Sequence, residues 1–195
     1  MRVLVTGGSG FIGVPLVEAL CGRGDDVVVT GRDERRLRKR LPAGITTVAW
    51  DPPSGPPPAS ALAGLDGVVN LAGEPVASGR WNKARKDRIQ KSRVVGTRNL
   101  VAGMLAADPR PRVLVSASAI GYYGDRKQSI LYEESTPGDD FLAEVCKAWE
   151  AEAWRAREGG IRTAVARVGI VLGRGGGAYP QMSKPFRWFL GATLG

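Results

Sequence analysis

The chain is 195 residues long, 43% apolar and 24% charged, and 28 Lys and Arg against 19 Asp and Glu give it a net charge of +9. This fits one globular domain or slightly more, and no apolar run nears the roughly 20 residues that a membrane-spanning helix needs. Histidine is absent, which excludes serine–histidine and cysteine–histidine nucleophiles and histidine-based metal sites. Proton chemistry falls to Tyr, Lys, Asp, Glu, Ser or a cofactor, and no metal site is expected.

The chain opens MRVLVTGGSGFIG. Val3–Val5 reads as a strand, Thr6 to Gly10 as a glycine turn, and Phe11 and Ile12 as the start of a helix running through Leu16, Ala19 and Leu20. Gly7 permits a sharp exit from the strand, Gly10 lets a pyrophosphate approach backbone N–H groups, and Gly13 lets the helix pack on the strand. The helix N-terminus adds partial positive charge. Gly7, Gly10, Phe11, Ile12 and Gly13 are therefore the expected dinucleotide cradle, with a purely structural glycine turn as the alternative.

Asp26 to Thr30 reads as the second strand and completes a βαβ unit, whose crossover is expected to be right-handed. NAD-preferring sites offer an acid to the ribose 2′-hydroxyl at this strand's tip. Here the tip reads Gly31-Arg32, with Arg35 and Arg36 following. A guanidinium there stacks on adenine or clamps a 2′-phosphate, so NADP is expected over NAD. The alternative is a solvated helix start opened by Asp33 and Glu34.

Thr46 to Ala49 is a third strand, and the proline-rich stretch Pro52 to Pro58 is a surface loop. Asp66 to Leu71 is a fourth, buried strand leading into Ala72-Gly73-Glu74-Pro75. Small residues at its end let a cofactor lie across it, with Asn70 as a polar brace; an ordinary strand-end turn explains them equally well. Asn82 to Ala107 is a long helix with Gly96 and Gly103 as weak points. Arg112 to Ser116 is the next strand, and its exit runs to Gly124 through Ser118, Tyr122 and Tyr123. Two hydroxyls and two phenols suit carbonyl–alcohol redox chemistry: a serine bonds the substrate oxygen and a tyrosine exchanges its proton. Turn formation and rim packing are the alternatives.

Asp139-Asp140 caps a helix from Phe141 to about Glu158. Arg162 to Arg167 is a sixth strand, extended by Val168 to Leu172 into Gly173-Arg174-Gly175-Gly176-Gly177, and the rest is apolar and partly helical. Strands alternating with helices imply an α/β fold, a Rossmann-like doubly wound parallel sheet flanked by helices. Cys21 and Cys146 lack metal-like spacing and point to a reducing compartment. With no signal peptide apparent, the expected location is cytoplasmic. Basic residues cluster at Arg32 to Arg40 and Arg80 to Arg98, as in a nucleic-acid binder. The second cluster, however, interleaves Trp81, Ile89, Val94 and Val95 and reads as the solvated face of a helix. A small anionic cofactor is the expected partner, rather than nucleic acid or membrane.

TGGSGFIG, NLAGEP, SASAIGYYGD, GDDFLAEVCKAWE and ARVGIVLGRGGGA together resemble extended-type short-chain dehydrogenase/reductases. More narrowly they resemble the atypical "epimerase family protein" subgroup within the NAD-dependent epimerase/dehydratase-like proteins. Arg80-Trp81 through Ser92-Arg93-Val94-Val95-Gly96-Thr97 matches that subgroup's run after NLAGEP. The resemblance covers essentially the whole chain and implies a Rossmann-like NAD(P) domain over 1–195. Gly7, Gly10, Gly13 and Arg32 would lie on the dinucleotide, with Asn70, Ala72 and Gly73 alongside. It implies an oxidoreductase or isomerase that moves a hydride at a hydroxyl-bearing carbon of a small molecule of the nucleotide-sugar kind. Extended-type relatives often dimerise through the long helix and its neighbour, so a homodimer is among the expected assemblies.

Two departures stand beside the match. Competent relatives carry Tyr-x-x-x-Lys on the helix after the serine strand, and alignment on Trp149-Glu150 puts Leu142 and Cys146 at those positions. The usual Asn of the long helix is replaced near Arg93. The surviving catalytic set is Ser118 (or Ser116), with Tyr122 or Tyr123 as a relocated acid. Tyr123 and Lys127 have the literal spacing, but Gly124-Asp125 argues for a loop there, and Lys147 points about 100° away from Cys146 on a helix. The second departure is length: relatives continue into a small substrate-covering domain, of which 179–195 would be the truncated beginning. The alternative function is a non-catalytic NADP(H)-binding sensor or partner-binding module.

Overall fold

The computed structural model describes residues 1–77, 79–173 and 176–188. Its centre is a six-stranded sheet in the order β3-β2-β1-β4-β5-β6, parallel throughout. The strands are β1 Arg2–Thr6, β2 Asp26–Gly31, β3 Thr46–Ala49, β4 Gly67–Asn70, β5 Val113–Ala119 and β6 Arg162–Val168. RVLVT and DVVVTG are runs of β-branched residues buried on both faces, as a helix-covered parallel sheet requires. Alternation sends Val3, Val5, Val27 and Val29 to one side, against Val17 of α1 (Gly13–Gly22) and Leu37 of α2 (Glu34–Arg40). Leu4, Val28, Val68 and Leu114 face the other side, under Leu100, Val101 and Met104 of α4 (Lys83–Ala106) and Ala153 of α5 (Phe141–Trp154).

The strand order turns back between β1 and β4. Adjacent strands there send their connections to opposite sides, which opens a crevice at their carboxyl ends. Asn82 caps α4 by accepting from the Arg85 N–H at 2.9 Å, and Asp140 caps α5 by accepting from Ala143 at 2.9 Å.

Several boundaries differ from the sequence reading, each for a packing reason. Residues 11 and 12 stay in the turn, and α1 begins at Gly13. A short helix α3, Ala59–Leu62, follows the proline loop and buries Ala61 and Leu62. Gly96 and Gly103 are docking points rather than weak points in α4. A Cβ at Gly96 would meet Pro52 at 2.8 Å, and one at Gly103 would meet Pro57 at 2.9 Å. The proline loop lies on these two gaps, pinned by an Asn99 amide hydrogen bond to the Pro52 carbonyl at 2.8 Å.

The strand β6 ends at Val168 rather than running on to Leu172, and Leu172–Gly173 instead pairs antiparallel with Gly176–Gly177 as β7 and β8. A last helix, α6, spans Tyr179–Arg187; Arg174, Gly175 and 189–195 lie outside the described residues. Among the described residues no helix is long and apolar enough to cross a membrane, and no three His, Cys, Asp or Glu are grouped to hold a metal.

Candidate functional site

At the switch point β1 ends in a turn that no larger residues could form. Gly7 has φ +69°, and a Cβ on it would lie 2.8 Å from the Leu71 carbonyl carbon and oxygen. A Cβ on Gly13 would lie 2.3 Å from the Gly7 oxygen and 2.6 Å from Gly8 Cα. Gly7 and Gly13 therefore set the approach of β1, β4 and α1. Gly10 closes the turn with its N–H on the Gly7 carbonyl at 2.9 Å. The start of α1 has no side-chain cap; Val14 and Leu16 donate to the Gly10 and Ile12 carbonyls and Pro15 has no N–H, so the N–H groups left for an anion are those of Phe11, Ile12 and Gly13.

Phe11, still exposed on its other side, is packed against by a segment that sequence reasoning left without a role. A Cβ at Gly173, Gly176 or Gly177 would come within 2.6, 2.6 and 2.7 Å of Phe11 ring atoms respectively. The hairpin β7–β8 thus rests on the mouth of the glycine turn. Its glycines are the signal, but their target could not be read from one strand pattern.

Beyond β2, Arg32 is exposed and makes no hydrogen bond or ion pair among the described residues. The two neighbouring acids are occupied. Asp33 caps α2 by accepting from the Arg36 N–H at 3.2 Å. Glu34 accepts from the Ala49 N–H at 3.1 Å and from Arg38 at 3.1 Å. The strand tip therefore offers a bare guanidinium and no free carboxylate, which suits a phosphate and not a ribose hydroxyl pair.

Asn70 is buried, and its side chain is spent on protein. Its Oδ1 accepts from Thr6 Oγ1 at 2.7 Å, and its Nδ2 donates to Thr97 Oγ1 at 2.9 Å and Ser116 Oγ at 3.2 Å. The Ala72 N–H in turn donates to Thr6 Oγ1 at 3.2 Å. Asn70 is the brace between β1, α4 and β5, and it fixes the path of Ala72 and Gly73. The Arg93 guanidinium lies directly against Gly73: a Cβ there would be 3.1 Å from Arg93 Cζ.

The serines sit differently from the sequence expectation. The strand β5 runs three residues past Ser116, so both serines are strand residues, and period-two alternation buries them on one face. Ser118 donates to Glu150 Oε1 of α5 at 2.6 Å. Glu150 also takes Arg167 of β6 in a two-pronged pair, Nε to Oε1 and Nη2 to Oε2, each at 2.9 Å. Arg167 Nη1 continues to the Tyr123 hydroxyl at 2.9 Å and the Glu133 carbonyl at 2.7 Å. Hydrogen bonding from Glu150 holds the Arg167 guanidinium above the ordinary arginine range.

Ser118 and Tyr123 are thus members of a buried network around Glu150 and Arg167, two residues that the sequence reading did not single out. Their signal, an acid on α5 and a base on β6, has meaning only once the two elements face each other. Tyr122 stands apart. Its ring lies 3.5 Å under the Arg167 guanidinium and edge-on to Tyr123, and its hydroxyl makes no hydrogen bond among the described residues. Tyr123 ends a 3-10 turn (Ile120–Tyr123), and Lys127 has φ +51° in the loop beyond, so the two do not form a helical dyad. Leu142 packs on that same turn, 3.5 Å from where a Gly121 Cβ would be.

Cys146 is buried beside Ser118. Burial pushes its thiol up, and hydrogen bonding to Ser118 and the Ala119 backbone, with the Arg93 charge, only partly offsets this. A neutral buried thiol reacts slowly. At mildly alkaline pH, Cys146 should be modified by a thiol reagent about tenfold more slowly than half-buried Cys21. Equal rates in the folded protein and in denaturant would mean that α5 does not pack as described.

Residues 3–188 match the model of the NAD dependent epimerase/dehydratase family. The chain belongs to the NAD-dependent epimerase/dehydratase family. It is 38% identical over 199 residues to human epimerase family protein SDR39U1, covering 100% of this chain and 63% of that protein. An epimerase family protein of Mycobacterium tuberculosis is 38% identical over 193 residues, covering 99% of this chain and 61% of its own length. The chain thus spans about three fifths of these curated relatives.

Among solved structures, human epimerase family protein SDR39U1 (isoform 2) with NADPH superposes with TM-score 0.83 at 36% identity, covering 100% of this chain and 62% of that one. A nucleoside-diphosphate sugar epimerase from Corynebacterium glutamicum gives TM-score 0.81 at 34% identity, covering 100% of this chain and 39% of that one. Within the epimerase/dehydratase fold, the glycine turn and strand order follow the dinucleotide-binding plan. The positions expected to carry tyrosine and lysine on α5 hold Leu142 and Cys146.

Proposed function

We propose that this chain binds NADP(H) along the carboxyl edge of its sheet and serves hydride transfer at a hydroxyl-bearing carbon of a nucleotide-sugar-like small molecule. The observation that carries the cofactor choice is Arg32, unpartnered at the tip of β2 while Asp33 and Glu34 are both tied to backbone. Gly7, Gly10 and Gly13, with the backbone of Phe11 and Ile12, would hold the pyrophosphate at the uncapped start of α1. Ala72 and Gly73 would lie along the other half. The nicotinamide, when bound, supplies or accepts the hydride.

Tyr122 is the residue best disposed to exchange a proton. It has an uncommitted hydroxyl, and it lies in the turn on which Leu142 packs. Ser118 contributes through the network, because its hydroxyl is already held by Glu150. The similar human protein, solved with NADPH, and the similar bacterial nucleoside-diphosphate sugar epimerase support this reading. It is also in keeping with a cytoplasmic protein that meets small molecules rather than nucleic acid, with α4 and α5 as the dimer-forming pair.

A second reading is favoured by a specific observation. Ser118 and Tyr123 spend their hydroxyls inside the protein, and Leu142 cannot transfer a proton. A dinucleotide site without turnover, acting as a sensor or partner-binding module, would have this anatomy. The two are separated by titrating NADPH and NADH by fluorescence and then following NADPH oxidation with carbonyl and nucleotide-sugar panels. Arg32→Ala should weaken NADPH about tenfold or more and leave NADH nearly unchanged. Turnover that Tyr122→Phe abolishes establishes the enzyme. Tight NADPH binding with no turnover on any panel member establishes the module.

A further inference from the structure

The connection between β4 and α4 ends in Arg80-Trp81, a pair that the dinucleotide cradle does not use. A helix that follows a strand of a parallel sheet starts beyond that strand's carboxyl end. The start of α4 after Asn82 and the start of α5 at Phe141 therefore both lie at the carboxyl edge. Trp81 meets Phe141 there, with ring centroids 5.9 Å apart and planes at 82°. Its Nε1 donates to the Val76 carbonyl at 3.2 Å, which fixes the indole within its own connection. The residue nevertheless stays 45% exposed, although tryptophan is on average a highly buried residue and its one polar group is already satisfied here. One position along α5 from Phe141, Leu142 packs on the turn that carries Tyr122. Trp81 thus stands on the rim of the crevice, on the side of the residue proposed to exchange a proton.

The charge around it is mostly positive. Residues 74–93 hold seven Lys and Arg against two acids, and one of those acids, Glu74, is taken by Arg85 at 2.9 Å and neighboured by Arg88 at 4.0 Å. Arg80, Lys83 and Lys86 are exposed and form no ion pair among the described residues. Lys86 Nζ lies over the Phe141 ring, 5.0 Å from its centroid. At the start of α5, Asp140 caps the helix and Glu144 pairs with Lys147 at 2.5 Å, which leaves Asp87 and Asp139 against the three cations. An exposed indole among unpaired cations is complementary to a ligand that is both planar and anionic. A nucleoside diphosphate has both parts: its base stacks on an aromatic ring whichever base it is, and its phosphates meet ammonium and guanidinium groups. A bare sugar has neither, and an apolar partner would leave the cations unanswered.

We infer that Trp81 is the stacking platform for the nucleobase of the substrate, with Arg80 and Lys86 taking its diphosphate. This rests on the nucleotide-sugar reading above and gives that substrate an orientation, with the base toward the start of α4 and the sugar toward Tyr122.

The test uses UDP and inorganic pyrophosphate as probes. They are titrated calorimetrically into the 195-residue chain saturated with NADPH, so that neither probe settles in the dinucleotide cradle. The unaltered chain should bind UDP more tightly than pyrophosphate. Trp81→Ala should weaken UDP about tenfold and change pyrophosphate less than about twofold. Trp81→Phe, which keeps a smaller ring, should recover most of the loss, and Lys86→Met should weaken both probes. Thermal unfolding shows that each variant is folded; Trp81→Leu, which keeps bulk against Phe141 without a π face, replaces Trp81→Ala if the latter is not. Unchanged UDP affinity in the folded variant overturns the inference. Equal weakening of both probes does so too, since Trp81 would then be a prop for its connection. UDP that fails to bind the NADPH-loaded chain, or nucleotide-sugar turnover that Trp81→Ala leaves untouched, overturns the inference while NADP(H) binding stands. A chain that binds no NADPH is a different result, overturning the cofactor reading together with the inference built on it.

Discussion

Gly13→Ala is expected to destabilise the chain by about 3 kcal/mol and to abolish NADPH binding, the former at the upper end of what overpacking costs. The added methyl would sit 2.3 Å from the Gly7 oxygen and within 2.7 Å of Gly8 Cα and carbonyl carbon, all backbone atoms. A flexible side chain could swing aside. The backbone of a turn already held by Gly10 on Gly7, and by Leu71 against Gly7, cannot. Relief requires α1 to lift from β1, which takes its N-terminal N–H groups away from the pyrophosphate position and opens the packing of Val17. Gly22→Ala is the control: it lies in the same helix with nothing within 4 Å, and it should be neutral or slightly stabilising. Urea unfolding and NADPH titration on the two variants check this, and equal behaviour would sink the steric argument.

Glu150→Ala should cost about 3–5 kcal/mol, the usual result of removing one partner from a buried ion pair. Glu150 is 5% exposed and holds three donors: Ser118 Oγ, Arg167 Nε and Arg167 Nη2. Its loss leaves the Arg167 charge without a carboxylate, holding only the Tyr123 hydroxyl and the Glu133 carbonyl. Ser118→Ala removes a single hydrogen bond of the set and should cost only about 1 kcal/mol. The pair of variants discriminates between roles for Ser118. A serine in the network yields a small stability loss with NADPH affinity intact. A serine that contacts substrate would instead leave stability untouched and remove any turnover.

The glycine turn and strand tip of the candidate site were legible because their determinants are local. Backbone conformation at Gly7, the helix start at Gly13 and a basic residue at the tip of β2 lie within about one βαβ unit, where spacing predicts position. The surroundings of Arg32 became legible only when Asp33 proved to cap α2 and Glu34 to hold the Ala49 N–H and Arg38, since a carboxylate's partners are not written in its sequence neighbours. The serine and tyrosine side of the candidate site was legible in residue type but not in orientation. Ending β5 at Ser116 placed the serines on an exit loop. Three further residues of pairing with β6 turned Ser118 inward, because a strand's side-chain period of two leaves no choice of face. Gly96 and Gly103 looked like flaws in a helix for the same reason: their value is the space they leave for Pro52 and Pro57, which are distant in sequence.

The sequence by itself determined the alternation of strands and helices, the glycine turn, the basic strand tip and an α5 without tyrosine. Each follows from short-range sterics, periodicity or residue chemistry. Only the tertiary structure decided which charges are spent and which are free. Glu150 meets Arg167 across a gap of 17 residues, and Arg93 reaches the Glu74 carbonyl across 19. Whether a buried charge is a prop or a binding group depends on what else the fold brings within a few ångströms of it, and that is a property of the packed chain.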